Sequence, residues 1–144
     1  KGMVAIAVFN INGTKFLNES FGTRVGDEIL HAVAQKLNNA KRAVDLIARI
    51  GGDEFAVLMT DMVLPGHAIT HAKNLLTALS GTAPSHDGGH DIILSGGVAT
   101  LTASNKVSAE TADRLVQQAT QAMFSAKVST RMTGKSELAV ARMQ

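Results

Sequence analysis

The sequence predicts an α/β fold of the α+β kind, a central mixed β-sheet flanked by helices. Three observations lead there. Strand-like and helix-like segments alternate along the chain. Val4-Ala5-Ile6-Ala7-Val8-Phe9 is an unbroken apolar run rich in β-branched residues, the composition of a central strand covered on both faces. Three longer segments repeat their apolar residues at helical spacing.

In order, Asn12-Gly13 ends the first strand as a turn, and a short helix follows over about 14–20, stopped near Gly22. Val25, Ile29, Leu30, Val33, Ala34 and Leu37 predict an amphipathic helix over about 24–38. Residues 46–50 and 55–59 read as strands joined by Gly51-Gly52-Asp53-Glu54, a hairpin turn by composition. Pro65-Gly66 opens a third helix, with Ile69, Ala72, Leu75, Leu76 and Leu79 on one face and Gly81 closing it. Residues 85–89 read as a polar hairpin loop before a strand at about 91–101. Ala112, Leu115, Val116, Ala119, Ala122, Met123 and Ala126 mark the last long helix, and 136–142 a final short strand. The order β-α-α-β-β-α-β-α-β has no internal repeat and no low-complexity linker, so one domain over 1–144 is expected. Its abrupt start at Lys1, with strand sequence two residues later, fits a domain cut from a longer protein.

Composition narrows the function. The 144 residues, 45% hydrophobic and 18% charged, are those of an ordinary globule with one core. Without cysteine there is neither a disulfide framework nor a thiolate metal site, which fits a reducing cytoplasm. The longest apolar run is too short to span a bilayer, and no signal peptide is visible, so no membrane contact by this domain is expected. Net charge is +2 with no basic block, and aromatics are 3%, all Phe. Nucleic-acid binders carry a basic stripe with stacking aromatics, so nucleic acid is not the expected partner. A small phosphate ligand is compatible.

Chemistry concentrates at the glycine turn. Gly-Gly before an acid is common hairpin chemistry, because Gly accepts positive φ. The alternative is that the glycines let a phosphate approach the backbone while carboxylates beside it hold Mg²⁺. The wider pattern discriminates. Gly51-Gly52-Asp53-Glu54-Phe55 follows Arg49 by two residues. Upstream, residues 10–27 match D-x-D-x-F-K-x-x-N-D-x-x-G-H-x-x-G-D without insertion or deletion, with Asn10 and Asn12 at the two leading acids and Lys15, Asn18, Gly22, Gly26 and Asp27 in place. Ser95-Gly96-Gly97-Val98-Ala99 resembles S-x-G-V-A, and Ala122-Met123-Phe124-Ser125-Ala126-Lys127 resembles A-M-Y-x-A-K. Over nearly its whole length the chain resembles the GGDEF domains, the diguanylate cyclase family.

The resemblance implies a palm-like fold and a reaction that joins two GTP molecules into cyclic di-GMP with release of two pyrophosphates. One GTP binds per domain, so catalysis needs a homodimer, and the setting is a cytoplasmic part of a multidomain signalling protein. Carried over by position, Asn18 and Asp27 read guanine, which offers acceptors and N–H donors. The plainer alternative makes Asn18 a turn residue and Asp27 a first-turn acid favoured by the helix dipole. Lys15, Gly51, Gly52, Lys127 and Arg131 fall at positions that contact GTP, the cations suiting its phosphates. Asp53 is the catalytic and metal-binding acid, and Glu54 the adjacent acid. The metal set is completed by the Ile11 backbone carbonyl and position 10.

Three departures matter. Asn10 and Asn12 stand where the family has Asp, and an amide supplies oxygen but no charge to Mg²⁺. The missing attraction is on the order of several kcal/mol before desolvation, and rate falls roughly tenfold per 1.4 kcal/mol of barrier. Thr130 replaces a usual Gly, so a change in the local turn is expected. Gly13-Thr14 replaces a bulkier pair before Lys15, altering the loop under the phosphates. A weakened cyclase follows, or alternatively an inactive domain acting as a receptor for cyclic di-GMP or GTP.

Arg42-Ala43-Val44-Asp45 precedes Gly51 at the spacing of the family's R-x-x-D inhibitory site, where the resemblance implies bound cyclic di-GMP. Arg42 would fork onto a guanine edge or phosphate, and Asp45 would accept guanine N–H donors. The plainer alternative is a surface ion pair at i,i+3. Two histidine pairs stand apart: His67 and His71 lack the third ligand of a zinc site, and His86 and His90 are expected in solvent.

Overall fold

In the computed structural model, which describes residues 3–102 and 109–141, the first apolar run becomes β1 (Met3–Ile11). After it come α1 (Thr14–Phe21), α2 (Thr23–Ala40), β2 (Leu46–Arg49), β3 (Glu54–Met62) and α3 (Pro65–Leu79). The chain continues through β4 (Gly81–Ser85), β5 (Gly88–Ile92), β6 (Leu94–Thr102), α4 (Ala109–Thr133) and β7 (Glu137–Val140). Five strands form one sheet in the order β2-β3-β1-β6-β7. The β6–β7 pair is parallel, with α4 as its crossover, and the other neighbours are antiparallel. The expected mixed sheet with flanking helices is therefore present.

β1 sits at the middle because both of its faces are apolar. Ala5, Ala7, Phe9 and Ile11 pack on Val25, Ile29, Val33 and Leu37 of α2 and on α3, while Ile6 and Val8 pack on Leu115, Ala119 and Met123 of α4. Each fully buried large apolar side chain contributes about 1.5–3 kcal/mol. No helix among the described residues is long and apolar enough to cross a membrane.

One element departs from the sequence reading. Residues 81–92 form a separate two-stranded hairpin, β4–β5, rather than a loop leading to one strand. Its strands bury little beyond Ala83 and Ile92 and so lack the alternation that marks a strand, and its bends rest on Gly81 and Gly88 at positive φ. The last expected strand reaches 142, of which 137–140 is strand and 142 lies outside the described residues.

Gly97 decides how close α4 comes to the sheet. A Cβ there would lie 2.1 Å from the Ala119 carbonyl oxygen and 2.3 Å from the Met123 amide nitrogen. Both are helix backbone and cannot turn aside. Gly97→Ala is expected to lower stability by about 1–3 kcal/mol, as overpacking does, measured by urea unfolding. Unchanged stability would show that strand and helix do not meet there.

Candidate functional site

Three segments meet beyond the end of β1. The Ile11 N–H donates to the Asp53 carbonyl at 2.9 Å and the Asn12 N–H to the Ile93 carbonyl at 2.9 Å, so the strand end is held on two sides. Gly13, at φ 77°, then turns the chain into α1. The hydroxyl of Thr14 donates to Asp53 Oδ2 at 3.1 Å. Thr14, read in the sequence only as a departure, thus ties the signature acid to the helix.

Gly51 and Gly52 are not in the left-handed region, which removes positive φ as their reason. Arg49 braces their turn, with Nε 3.2 Å from the Gly51 carbonyl and a terminal nitrogen 2.6 Å from that of Gly52. Nothing lies within 4 Å of a Cβ placed on Gly52. The outer side of the hairpin is open backbone, as a closely approaching ligand requires. Glu54 is half-buried, its side chain 3.5 Å from a Cβ placed on Gly51.

Asn18 lies one turn after Thr14 on the same face of α1. Its Oδ1 is buried without a hydrogen-bond partner, a state that costs about 1–3 kcal/mol. A Cβ on Gly26 would stand 1.8 Å from that oxygen, so α2 is glycine where the amide rests. Asp27 follows directly and is exposed. It borders a cleft of about 350 Å³ with Arg24, Glu28, His31, Gln35 and Pro84. A second, of about 340 Å³, brings it beside Arg49 and Phe55 of the signature hairpin. Asn18, Asp27 and Asp53 therefore belong to one neighbourhood.

Asn10 is 2% exposed, opposite Glu54 on one side and Ser95 on the other, and makes no side-chain hydrogen bond among the described residues. Asn12 has a structural bond: its Oδ1 accepts the Ser95 hydroxyl at 3.2 Å, and Ser95 Oγ lies 3.1 Å from Thr130 Oγ1. At Thr130, where a change in the local turn is expected, the chain is helical: α4 runs through it to Thr133 and ends at Gly134, φ 72°. Lys127 and Arg131 lie one turn apart on α4, Lys127 with its Nζ 5.4 Å over the Phe124 ring. Lys15, Lys127 and Arg131 form no ion pair among the described residues, and Lys15 and Arg131 are exposed.

The R-x-x-D pair is closed on itself. Asp45 is 1% exposed. Its Oδ2 accepts the Arg42 N–H at 2.8 Å and lies 2.7 Å from His71 Nε2, while its Oδ1 accepts Arg42 Nε at 2.9 Å. A terminal nitrogen of Arg42 also reaches the Thr60 carbonyl at 2.7 Å. Burial pushes the Asp45 carboxyl up, but the hydrogen bonds from Arg42 and His71 outweigh it and hold the group below the usual carboxylate range. His67, one turn before His71, is exposed. The other histidines are not simply in solvent as expected: His86 Nδ1 lies 2.5 Å from Glu28 Oε1, and His90 packs on Phe21 at 4.8 Å between ring centroids. The hydrogen bond from His86 lowers the Glu28 pKa.

Comparison with known proteins identifies the family and the fold. The family model for the diguanylate cyclase GGDEF domain matches residues 1–133. The response regulator PleD of Caulobacter vibrioides is 32% identical over 133 residues, covering 89% of this chain, which spans 28% of PleD. The crystal structure of the GGDEF domain of TpbB (YfiN) from Pseudomonas aeruginosa superposes with a TM-score of 0.84 at 26% identity, over 99% of this chain and 84% of that one. The GGDEF domain of DgcB from Caulobacter crescentus, solved in complex with c-di-GMP, shares the fold at 19% identity and a TM-score of 0.76, over 96% of this chain and 77% of that one. The chain belongs to the GGDEF family of diguanylate cyclase domains.

Gly26→Ala is expected to weaken GTP binding about tenfold or more by displacing Asn18, while helix propensity favours Ala by about 1 kcal/mol. Titration calorimetry with GTP beside a thermal melt reads both effects. Loss of the fold together with the binding would count against the assignment. For Asp45 the sign follows from its lowered pKa: the stabilisation is present above the unfolded value, about 3.9, and is lost as pH falls through the lower folded value. Asp45→Asn should therefore lower Tm at neutral pH by an amount that shrinks in strong acid, read from melts across pH.

Proposed function

We propose that this chain is a cyclic di-GMP signalling domain that binds GTP at the Asn18–Asp27–Asp53 neighbourhood and turns it over weakly. The observation that carries the reading is the buried, unpartnered Asn18 oxygen, set on Gly26 beside Asp27 and one helical turn from the residue that holds Asp53. Guanine presents N–H donors that would satisfy that oxygen and the Asp27 carboxylate together. The open hairpin at Gly52 leaves room for phosphates, with Lys15, Lys127 and Arg131 as their counter-charges.

The donor set at the strand end fits a hard divalent cation in kind. Asp53, the Ile11 carbonyl and the Asn10 amide would hold Mg²⁺, all through oxygen. When bound, the ion supplies charge neutralisation at the phosphates. The set carries less charge than the family's, since Asn10 and Asn12 stand where the family has Asp. In the full reaction two domains face one another, each 3′-hydroxyl attacks the other GTP's α-phosphate, and two pyrophosphates leave. Thr14 orients Asp53 for its part in that step, and Glu54 assists from the same strand.

A second reading is favoured by the amides at positions 10 and 12: a receptor that binds GTP or cyclic di-GMP without turnover. Mg²⁺-dependent pyrophosphate release from GTP separates the two. Asn10→Asp is expected to raise the rate by about tenfold or more, the effect of roughly 1.4 kcal/mol of restored stabilisation. A measurable wild-type rate that this substitution leaves unchanged refutes the lost-charge account. Failure of GTP to bind at all refutes the site.

A further inference from the structure

We infer that His71 occupies the place of a ligand guanine on Asp45, and so sets the affinity of the R-x-x-D site for cyclic di-GMP. The inference rests on the reading of Arg42 and Asp45 as a product site. A carboxylate has about four lone-pair positions. Asp45 accepts three hydrogen bonds: Oδ2 takes the Arg42 N–H and His71 Nε2, the latter at 2.7 Å, and Oδ1 takes Arg42 Nε, while the terminal Arg42 nitrogen beside Oδ1 donates to the Thr60 carbonyl. Two come from within the R-x-x-D turn itself. The third is the sole hydrogen bond from elsewhere in the fold, on α3.

A guanine N–H that reaches Oδ2 must take the His71 position, because both lone pairs of that oxygen are already accepting and the Asp45 side chain has no exposed surface. His71 keeps 16% of its side chain exposed. Displacing it opens the site without disturbing the pairing of Arg42 and Asp45.

The test is calorimetric titration of the chain with cyclic di-GMP for the wild type, His71→Ala, His71→Gln and Arg42→Ala. His71→Ala, which vacates the position on Oδ2, should bind several-fold more tightly than wild type. His71→Gln keeps an N–H donor and should fall between the two, which keeps the comparison readable even if the alanine variant folds poorly. Equal affinity in wild type and both His71 variants, with binding lost in Arg42→Ala, would overturn the role of His71 and leave the product site standing. No binding by wild type or by either His71 variant would overturn the product site and this inference with it.

Discussion

A strand covered on both faces cannot carry polar side chains along its length, and β1 carries none from Met3 to Phe9. Its first polar residue, Asn10, is still buried, and the cover lasts through Ile11. The hairpin bonds to Ile11, Ile93 just before β6 bonds to Asn12, and α1 starts at Thr14. The double burial of β1 thus fixes the relative positions of Asp53, Thr14 and Asn18 more firmly than any contact among them. Hydrogen bonds such as Thr14 to Asp53 are worth about 1 kcal/mol each, too little to assemble a site alone. The apolar packing behind them is many times larger.

The same burial gives the amides at positions 10 and 12 a structural meaning. A carboxylate at the depth of Asn10, with no counter-charge, would carry a heavy desolvation cost. An amide carries much less. Asn12 goes further and bonds to Ser95, which in turn reaches Thr130 on α4. The amides thus let the end of β1 pack without an uncompensated charge.

Much of the fold was legible because its signals are periodic. The helices could be placed within a few residues from apolar spacing, and β1 from an unbroken apolar run. The β4–β5 hairpin was missed because Gly81-Thr82-Ala83-Pro84-Ser85 has neither alternation nor β-branched bulk. Within the site, sequence spacing located the signature hairpin and the Asn18–Asp27 pair. It marked Thr14 only as a departure and His71 only as half of an incomplete zinc pair. Thr14 makes its contact 39 residues away and His71 makes its own 26 residues away, and spacing along the chain does not show such partners. The glycines were legible as glycines but not for their reasons. Gly51 and Gly52 leave space outside the chain, Gly26 leaves space for Asn18, and Gly97 for a helix backbone; none of these needs positive φ.

Two acids show what decides whether a motif residue is available to a ligand. Asp27 and Asp45 both sit in recognisable patterns with the right neighbours in sequence. Asp27, on the first turns of α2, faces open clefts and makes no side-chain bond among the described residues. Asp45 is enclosed and fully bonded. A ligand reaching Asp27 displaces only water, whereas one reaching Asp45 must replace a charge-assisted hydrogen bond already made. The two acids therefore differ in what a ligand must displace to reach them, although their motifs look equally intact. What lies across from the carboxylate sets that difference, and motif spacing does not encode it.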